Sequence, residues 1–265
     1  MSLTLTTGPL SREPSATNYT IEGPENRMLF QGFPRRVRAL LAENTVLDTR
    51  DGKLLHETGY LPQLYVPRED VAVELLEATD HTTNCPFKGD ACYWSVRVGD
   101  RVAENAVWAY EEPLEPVGWL RDHVALYWDR MDAWLDEEEH VEGHLCDPYH
   151  RVDARRSSRH VRVTADGELL AETWRPVVLS ENGQPNRFYV PRGDVVEAKL
   201  EPSQTRSVCP YKGRASYWNA RVGGKCLEDV ALAYDAGPAD AFKITGHVCF
   251  LGPDVQIWVD GEHVA

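Results

Sequence analysis

The sequence lacks the features that would place the chain in a membrane or on a nucleic acid. No apolar run approaches the ~20 residues that a membrane-spanning helix needs. The first residues show neither the basic start nor the apolar stretch of a secretion signal. The formal charge of −14 at pH 7 would repel a polyanion. We therefore expect a cytoplasmic protein without a membrane or nucleic-acid partner.

Patterns typical of metal and cofactor sites are also scarce. The six cysteines form no Cys-x-x-Cys pair, so the sequence does not predict a four-ligand zinc site. No glycine-rich phosphate-binding loop occurs. We expect neither a bound metal nor a cofactor.

The sequence does contain an internal duplication. "CPFKGDACYWSVRVG" begins at Cys85 and "CPYKGRASYWNARVG" begins at Cys209, with ten of fifteen positions identical. The offset, 209 − 85 = 124, also pairs "YVPRED" with "YVPRGD" and Trp134 with Trp258, without a gap from about residue 24 to residue 137. We therefore predict two homologous domains related by a pseudo-twofold axis, as the subunits of a homodimer would be.

Both copies have the pattern of antiparallel β-strands. Short runs of β-branched and aromatic residues are separated by turn residues. Gly99-Asp100 and Gly223-Gly224 lie between such runs, as expected of two-residue hairpin turns. Helix is predicted only as a short piece around residues 113–122. We predict an N-terminal arm (1–23), a first repeat (24–137), a linker (138–147) and a second repeat (148–265).

Several motifs carry a resemblance to a known family. "YVPREDV", "TTNCPFKGDACYWSVRVG", "ENAVWAYEEPL" and "HVALYWDRMDAW" resemble the family catalogued as domain of unknown function 427. The resemblance covers nearly the whole chain and implies a fold similar to the β-tent, in which two antiparallel sheets meet at an angle. The chain departs from the pattern at "FLGPDVQIW", which lacks the Trp-Asp-Arg of residues 128–130. The expected fold is mainly β, with two tandem β-tent-like domains.

A nucleotidyltransferase label is sometimes attached to this family. Nucleotidyl transfer needs two or three carboxylates on Mg²⁺ and a cradle for the triphosphate. "DRMD" offers Asp129 and Asp132, but the corresponding stretch of the second copy keeps only Asp254. We treat this activity as the weaker alternative.

The repeated Cys-Pro-(Phe/Tyr)-Lys-Gly loop has a structural and a chemical interpretation. A nearby ammonium would make Cys85 or Cys209 a reactive thiolate, but a small cysteine in a Pro-Gly turn also serves packing alone. Lys88 and Lys212, held in a rigid turn, are candidates to meet a carboxylate or a phosphate.

Other repeated residues are candidates for binding a ligand or for proton transfer. The aromatic pairs Tyr93-Trp94 and Tyr217-Trp218 alternate faces along a strand, so one member of each pair could line a pocket. The arginines of "YVPR", Arg68 and Arg192, either bind an anionic group or pair with Asp70 and Asp194. His123 and His247 begin a strand, where a histidine acts as a base or satisfies backbone groups.

One polar cluster is not explained by the duplication. "DPYHRVD" at residues 147–153 stands where the first copy has "GPENRML". We predict that it contributes to a functional pocket, with Tyr149 and His150 facing a ligand and Arg151 in a structural role. The alternative is that the segment only holds the linker in place.

Two classes of function remain open. The first is a cofactor-independent hydrolase, lyase or isomerase acting on a small aromatic or carboxylated compound, in a pocket near the surface between the repeats. The second is a module that binds or senses a small ligand without catalysis. The expected partner is a small molecule, and we expect either a monomer with an internal pseudo-dimer or a homodimer.

Overall fold

A computed structural model describes residues 18–20 and 22–264 of the chain. Most of the predicted N-terminal arm (1–23) lies outside the described residues. The rest of the chain forms two units, with the boundary between Tyr149 and His150.

The described part of the first unit forms eleven strands, all paired antiparallel. The strands are β1 (Met28–Gly32), β2 (Val37–Leu41), β3 (Asn44–Thr49), β4 (Lys53–Glu57), β5 (Gln63–Pro67), β6 (Leu76–Cys85), β7 (Gly89–Val98), β8 (Arg101–Ala109), β9 (His123–Leu126), β10 (Ala133–Asp136) and β11 (Glu139–Val141). They form a large sheet with the strand order β1-β4-β5-β9-β8-β7-β6 and a small sheet with the order β11-β10-β2-β3. Residues 138–147, predicted as a linker, therefore include strand β11.

The described part of the second unit repeats this arrangement. Its strands are β12 (Val152–Arg156), β13 (Val161–Ala165), β14 (Glu168–Thr173), β15 (Val177–Glu181), β16 (Arg187–Pro191), β17 (Leu200–Cys209), β18 (Gly213–Val222), β19 (Lys225–Tyr234), β20 (His247–Phe250), β21 (Val255–Val259) and β22 (Glu262–His263). The large sheet has the strand order β12-β15-β16-β20-β19-β18-β17, and the small sheet has the order β14-β13-β21-β22. The prediction of a mainly β chain with two homologous antiparallel domains is confirmed.

The two sheets of each unit enclose an apolar core. Along β5, Leu64 and Val66 pack into this core, whereas Tyr65 lies on the opposite face of the large sheet, because successive side chains of a strand alternate. That opposite face carries three tyrosines at corresponding positions of the two units, and we call it the tyrosine face; these are Tyr65, Tyr93 and Tyr110 in the first unit and Tyr189, Tyr217 and Tyr234 in the second.

Short helices cover part of the tyrosine face. Val117 and Leu120 of one 3₁₀ helix pack there in the first unit, and Ile244 packs there in the second. The described residues contain only 3₁₀ helices, namely Arg68–Asp70, Val73–Leu75, Glu115–Leu120, Trp128–Arg130, Arg192–Asp194, Glu197–Lys199 and Phe242–Ile244. The prediction of a short helix around residues 113–122 is confirmed. No helix in the described part of the chain is long and apolar enough to span a bilayer.

The predicted hairpin turns are also present. Gly99-Asp100 joins β7 to β8, and Gly223-Gly224 joins β18 to β19. Gly99, Gly223 and Gly224 have φ values of 57°, 55° and 75°, which a residue without Cβ adopts most readily. These turns fix the pairing of the strands that carry Tyr93 and Tyr217.

One strand of the second unit departs from the duplication. Trp134 in β10 pairs with Ala39 and is 4% exposed. Trp258 in β21 instead pairs with Arg162, which corresponds to Arg38, so the second copy is one residue shorter before this strand. A shift of one residue moves a side chain to the other face of a sheet, and Trp258 is 37% exposed. The predicted correspondence of Trp134 with Trp258 is therefore wrong.

Candidate functional site

A buried ion pair occupies the tyrosine face of each unit. Nζ of Lys88 donates to the carboxylate of Glu57, and Nζ of Lys212 donates to that of Glu181 at 2.5 Å. Each of the four side chains is between 10% and 12% exposed. Removing two opposite charges from water costs about as much free energy as their attraction returns. Stability alone therefore does not explain why both units contain this pair.

The repeated Cys-Pro-(Phe/Tyr)-Lys-Gly loop is the turn that places each lysine. The amide of Lys88 donates to the carbonyl oxygen of Cys85, and that of Lys212 donates to Cys209, both at 3.2 Å. A glycine must follow, because a Cβ added to Gly213 would lie 2.6 Å from the carbonyl oxygen of Ala236. The loop is thus a scaffold that directs an ammonium group to a carboxylate.

Tyrosines surround the ion pair. Burial raises the pKa of Tyr65 and Tyr110 in the first unit, and the Glu57 carboxylate adds to the rise for both. Burial likewise raises the pKa of Tyr189 and Tyr234 in the second unit. These phenols stay protonated near neutral pH and are available as hydrogen-bond donors.

The third tyrosine of each face is held by a hydroxyl from the neighbouring strand. The phenol oxygen of Tyr93 lies 2.9 Å from Oγ1 of Thr83. In the second unit, that of Tyr217 lies 2.9 Å from Oγ of Ser207. Both predicted tyrosines therefore share a face with the predicted lysines.

The second oxygen of the carboxylate has a different partner in each unit. Nδ2 of Asn26 donates to Oε1 of Glu57 at 2.9 Å. At the corresponding position of the second unit, Nε2 of His150 lies 3.0 Å from Oε1 of Glu181. The second unit therefore has a titratable group where the first has an amide.

His150 is fixed on both sides. Its ring packs against Tyr211, with centroids 4.2 Å apart, and its side chain is 14% exposed. Burial alone would raise the pKa of Glu181, but the hydrogen bonds from His150 and Lys212 outweigh burial and lower it to about 2. Among the described residues, Nδ1 of His150 has no hydrogen-bond partner.

The remaining members of the 147–153 cluster have other contacts. The hydroxyl of Tyr149 donates to Oε1 of Gln31 at 2.5 Å, within the first unit. Arg151 donates to Asp153 at 3.0 Å, and its side chain is 71% exposed. Of Tyr149, His150 and Arg151, the structure brings only His150 to the Glu181 carboxylate.

The predicted tryptophans and arginines lie on the other face of the large sheet. Trp94 and Trp218 pack with the core between the sheets. The guanidinium of Arg68 lies over Trp94 and donates to Glu111 at 2.8 Å. In the second unit, Arg192 lies over Trp218 and donates to Glu197 at 2.7 Å. These four residues do not share a site with the lysines.

The alternative prediction, that these arginines pair with Asp70 and Asp194, is wrong. Asp70 accepts a hydrogen bond from Thr49 at 2.5 Å. Asp194 pairs with Arg175 at 2.8 Å. Asp70 and Asp194 therefore bind Thr49 and Arg175. The arginine two positions before each aspartate points toward a tryptophan instead.

His123 and His247 contact backbone carbonyl groups. Nδ1 of His123 donates to the carbonyl oxygen of Arg121, and that of His247 donates to Thr245, both at 3.0 Å. The ring of His123 also packs edge-on against Phe30 at the rim of the tyrosine face. The contacts of both histidines match the backbone role considered above.

The carboxylates were missed by the sequence analysis. Glu57 and Glu181 each end a strand with two or three apolar residues, "KLLHE" and "VVLSE", and the offset of 124 pairs them. A charged residue repeated in a buried strand was the available signal. Asn26 had no such signal, since its counterpart is a histidine.

A fully buried histidine in the first unit gives a pH-dependence prediction. His56 is 0% exposed, and neither ring nitrogen has a hydrogen-bond partner among the described residues. Burial lowers the pKa of His56 below its usual 6.5, and the charge of Asp147 opposes this only in part. The unfolded chain therefore binds the proton more readily, and stability is lost as the pH falls below 6.5.

We expect a His56→Leu variant to lose less stability than the wild type when the pH is lowered from about 7.5 to about 5.5. Urea denaturation followed by circular dichroism at both pH values measures this. The matched control is His140→Leu, since His140 is exposed. An equal loss in the wild type and the His56→Leu variant would contradict the prediction.

The family profile described as domain of unknown function (DUF427) matches the chain twice, over residues 30–137 and 153–261. No curated protein shows significant sequence similarity to the chain. Because the two matches cover most of the chain, it belongs to this family as a tandem member, and the predicted resemblance is confirmed.

Proposed function

We propose that this tandem DUF427 protein is a cofactor-independent enzyme that acts on a small aromatic or carboxylated compound at the tyrosine face of its second unit. One observation carries the proposal. His150 is bonded to Glu181, whose other oxygen is bonded to Lys212, and these side chains are 10% to 14% exposed. A histidine oriented by a buried carboxylate is the arrangement that general acid and base catalysis uses.

The proposed role of each residue follows from its hydrogen bonds. With its Nε2–H bonded to Glu181, His150 has a lone pair on Nδ1 that can accept a proton from a substrate or a water molecule. The pKa of Glu181, about 2, keeps its carboxylate ionised. Glu181 therefore stabilises the imidazolium ion and does not take the proton itself. Hydrolysis, elimination and isomerisation all use such a transfer.

The surrounding residues fit an aromatic or carboxylated substrate. Tyr211 and Tyr217 are half-buried members of the same apolar cluster and offer ring surface for stacking. Tyr234, whose pKa is raised by burial, can donate to an oxygen that gains negative charge during the reaction. Lys212 adds a positive charge to the same face.

A non-catalytic binding function is the second candidate, and the first unit favours it. Asn26 takes the place of His150 there, so the Glu57 carboxylate has an amide and not an imidazole beside it. The first unit would then bind a ligand of the same class without turning it over.

The nucleotidyltransferase alternative has less support. The Asp132 carboxylate accepts hydrogen bonds from the guanidinium of Arg101, at 2.8 Å, and from the amide of Ala42, at 2.7 Å. A carboxylate held in this way is committed to the local fold. The cytoplasmic location, and the choice between a monomer and a homodimer, remain proposals from the sequence.

Proton transfer can be tested without knowing the substrate. A panel of aromatic esters and aromatic keto and hydroxy acids is incubated with the full chain in D₂O, and proton NMR follows hydrolysis, elimination and deuterium incorporation at carbon. We expect at least one compound to react with the wild type and not with the Glu181→Gln variant. Compounds that perturb the His150 signals but never react would favour the binding function instead.

A further inference from the structure

The small sheet of the second unit has an open cleft on its outward face. The cleft has a volume of about 400 Å³ and is lined by His160, Arg162, Thr164, Gly167, Trp258 and Gly261. Small-ligand sites in proteins begin at about 300 Å³. The cleft lies on the small sheet, whereas the proposed catalytic residues lie on the large sheet.

The floor of the cleft is a tryptophan that the register shift turned outward. Trp258 is directly opposite Arg162 in the pairing of β21 with β13, so both side chains stand on the same face. The first unit has Leu135 at the position paired with Arg38. His263 packs edge-on against the Trp258 ring, with centroids 5.0 Å apart, and holds the indole in place.

Arg162 has lost the partners that its counterpart keeps. In the first unit, Arg38 donates to the carbonyl oxygen of Glu137 at 2.7 Å and pairs with Glu138 at 2.8 Å. Among the described residues, Arg162 has neither a hydrogen bond nor an ion pair. Its guanidinium therefore faces the cleft with all its donors available.

Two acidic side chains at the rim are replaced by glycine. Gly167 lies in the turn between β13 and β14, where the first unit has Glu43. Gly261 lies in the turn between β21 and β22, where the first unit, allowing for the shift, has Glu138. No heavy atom lies within 4 Å of a Cβ added at either glycine. The rim of the cleft is thus open at both glycines.

One wall of the cleft is also aromatic and fixed. His160 stacks on Trp174 with centroids 4.3 Å apart, and its Nε2 lies 2.9 Å from Oε1 of Glu172. The first unit has Arg36 and Arg50 at the positions of His160 and Trp174. The second unit has therefore gained two rings where the first has two charged side chains.

We infer that this cleft is a second binding site, which takes a small aromatic carboxylate. The aromatic ring stacks on Trp258, and the carboxylate accepts two hydrogen bonds from the planar guanidinium of Arg162. The first unit cannot form this site, because Arg38 is already paired with Glu138 and the outward tryptophan is absent.

The test uses 2-naphthoate as the probe and the full chain labelled with ¹⁵N-tryptophan. NMR follows the indole N–H signal of Trp258, assigned from its loss in a Trp258→Leu variant, and calorimetry measures the dissociation constant. We expect 2-naphthoate to shift this signal. Arg162→Gln and Trp258→Leu should each weaken binding about tenfold.

Three controls make the result specific. Arg38→Gln, the matched change in the first unit, should leave the affinity unchanged. The neutral analogue 2-naphthamide should bind the wild type about tenfold more weakly than 2-naphthoate does and should not respond to Arg162→Gln. Glu181→Gln should also leave the Trp258 shift unchanged, so the result is independent of the proposed catalytic residues.

Two results would overturn the inference. One is an unchanged Trp258 signal at a millimolar concentration of 2-naphthoate. The other is equal affinity for the acid and the amide, which would leave an aromatic surface for a neutral or protein partner and no carboxylate site.

Discussion

A Lys212→Met variant is expected to lower the free energy of unfolding by about 3–5 kcal/mol, because it leaves the Glu181 carboxylate buried with only one of its two partners. Urea denaturation at neutral pH, followed by circular dichroism, measures the loss. We expect Lys88→Met to have an effect of similar size, since Lys88 is buried against Glu57 in the same way.

The controls use a more exposed ion pair and a double variant. Lys199 and Glu168 also pair, at 2.7 Å, but their side chains are 26% and 41% exposed. Lys199→Met should therefore cost only about 0–1 kcal/mol. A Lys212→Met/Glu181→Leu double variant should recover much of the stability, because no unpaired buried charge remains. If Lys212→Met and Lys199→Met lower the free energy of unfolding equally, the buried pair of Lys212 and Glu181 does not contribute more to the stability of the fold than an exposed pair does.

The double variant also separates structure from function. Replacing a buried ion pair by apolar residues is often neutral or stabilising. If the apolar version of the second unit is as stable as the wild type, the fold does not need the pair. The presence of the ion pair in both units is then best explained by a functional role at the tyrosine face.

Much of the fold could be predicted from the sequence, because local signals and the duplication agree. The alternation of Leu64, Tyr65 and Val66 fixes which side of the large sheet each residue occupies. The glycines at positions 99 and 223 fix two hairpins. These signals act over a few residues, so they can be read directly from the sequence.

The site was harder to predict, since its contacts join distant strands. Lys88 was predicted to meet a carboxylate or a phosphate, but its partner Glu57 is 31 positions away, on a strand that is not its neighbour in the sheet. Arg68 and Lys88 were both candidates to bind an anionic group, but the two residues lie on opposite faces of one sheet. The tertiary structure determines the face of the sheet toward which a side chain in a turn points.

The error at Trp258 has a similar origin. A tryptophan at the offset of 124 favoured an alignment without a gap, whereas the hydrogen-bond register shows that one residue is missing before β21. An alignment of the two copies by sequence identity matches side chains, whereas the register of a strand in a sheet is set by backbone hydrogen bonds. The shift is also what places Trp258 at the cleft on the small sheet.

The two units differ most clearly at the partner of the buried carboxylate. Asn26 and His150 occupy equivalent positions, and each donates to Oε1 of its glutamate, at 2.9 Å and 3.0 Å. An amide can reproduce this hydrogen bond, but it cannot accept a proton as imidazole does. Exchanging these two residues therefore changes the chemistry of a unit while keeping its hydrogen bonds.

A His150→Asn variant is expected to lower the rate of proton transfer by about 10²- to 10⁴-fold, the usual contribution of a general acid or base. The free energy of unfolding should change by less than about 1 kcal/mol, because the amide still donates to Glu181 as Asn26 does to Glu57. The rate of reaction of the compound found in D₂O and a urea denaturation curve measure the two quantities. Asn26→His in the first unit should not lower the rate, because it leaves His150 in place. A His150→Asn variant that keeps the wild-type rate would refute the assignment of His150 as the base.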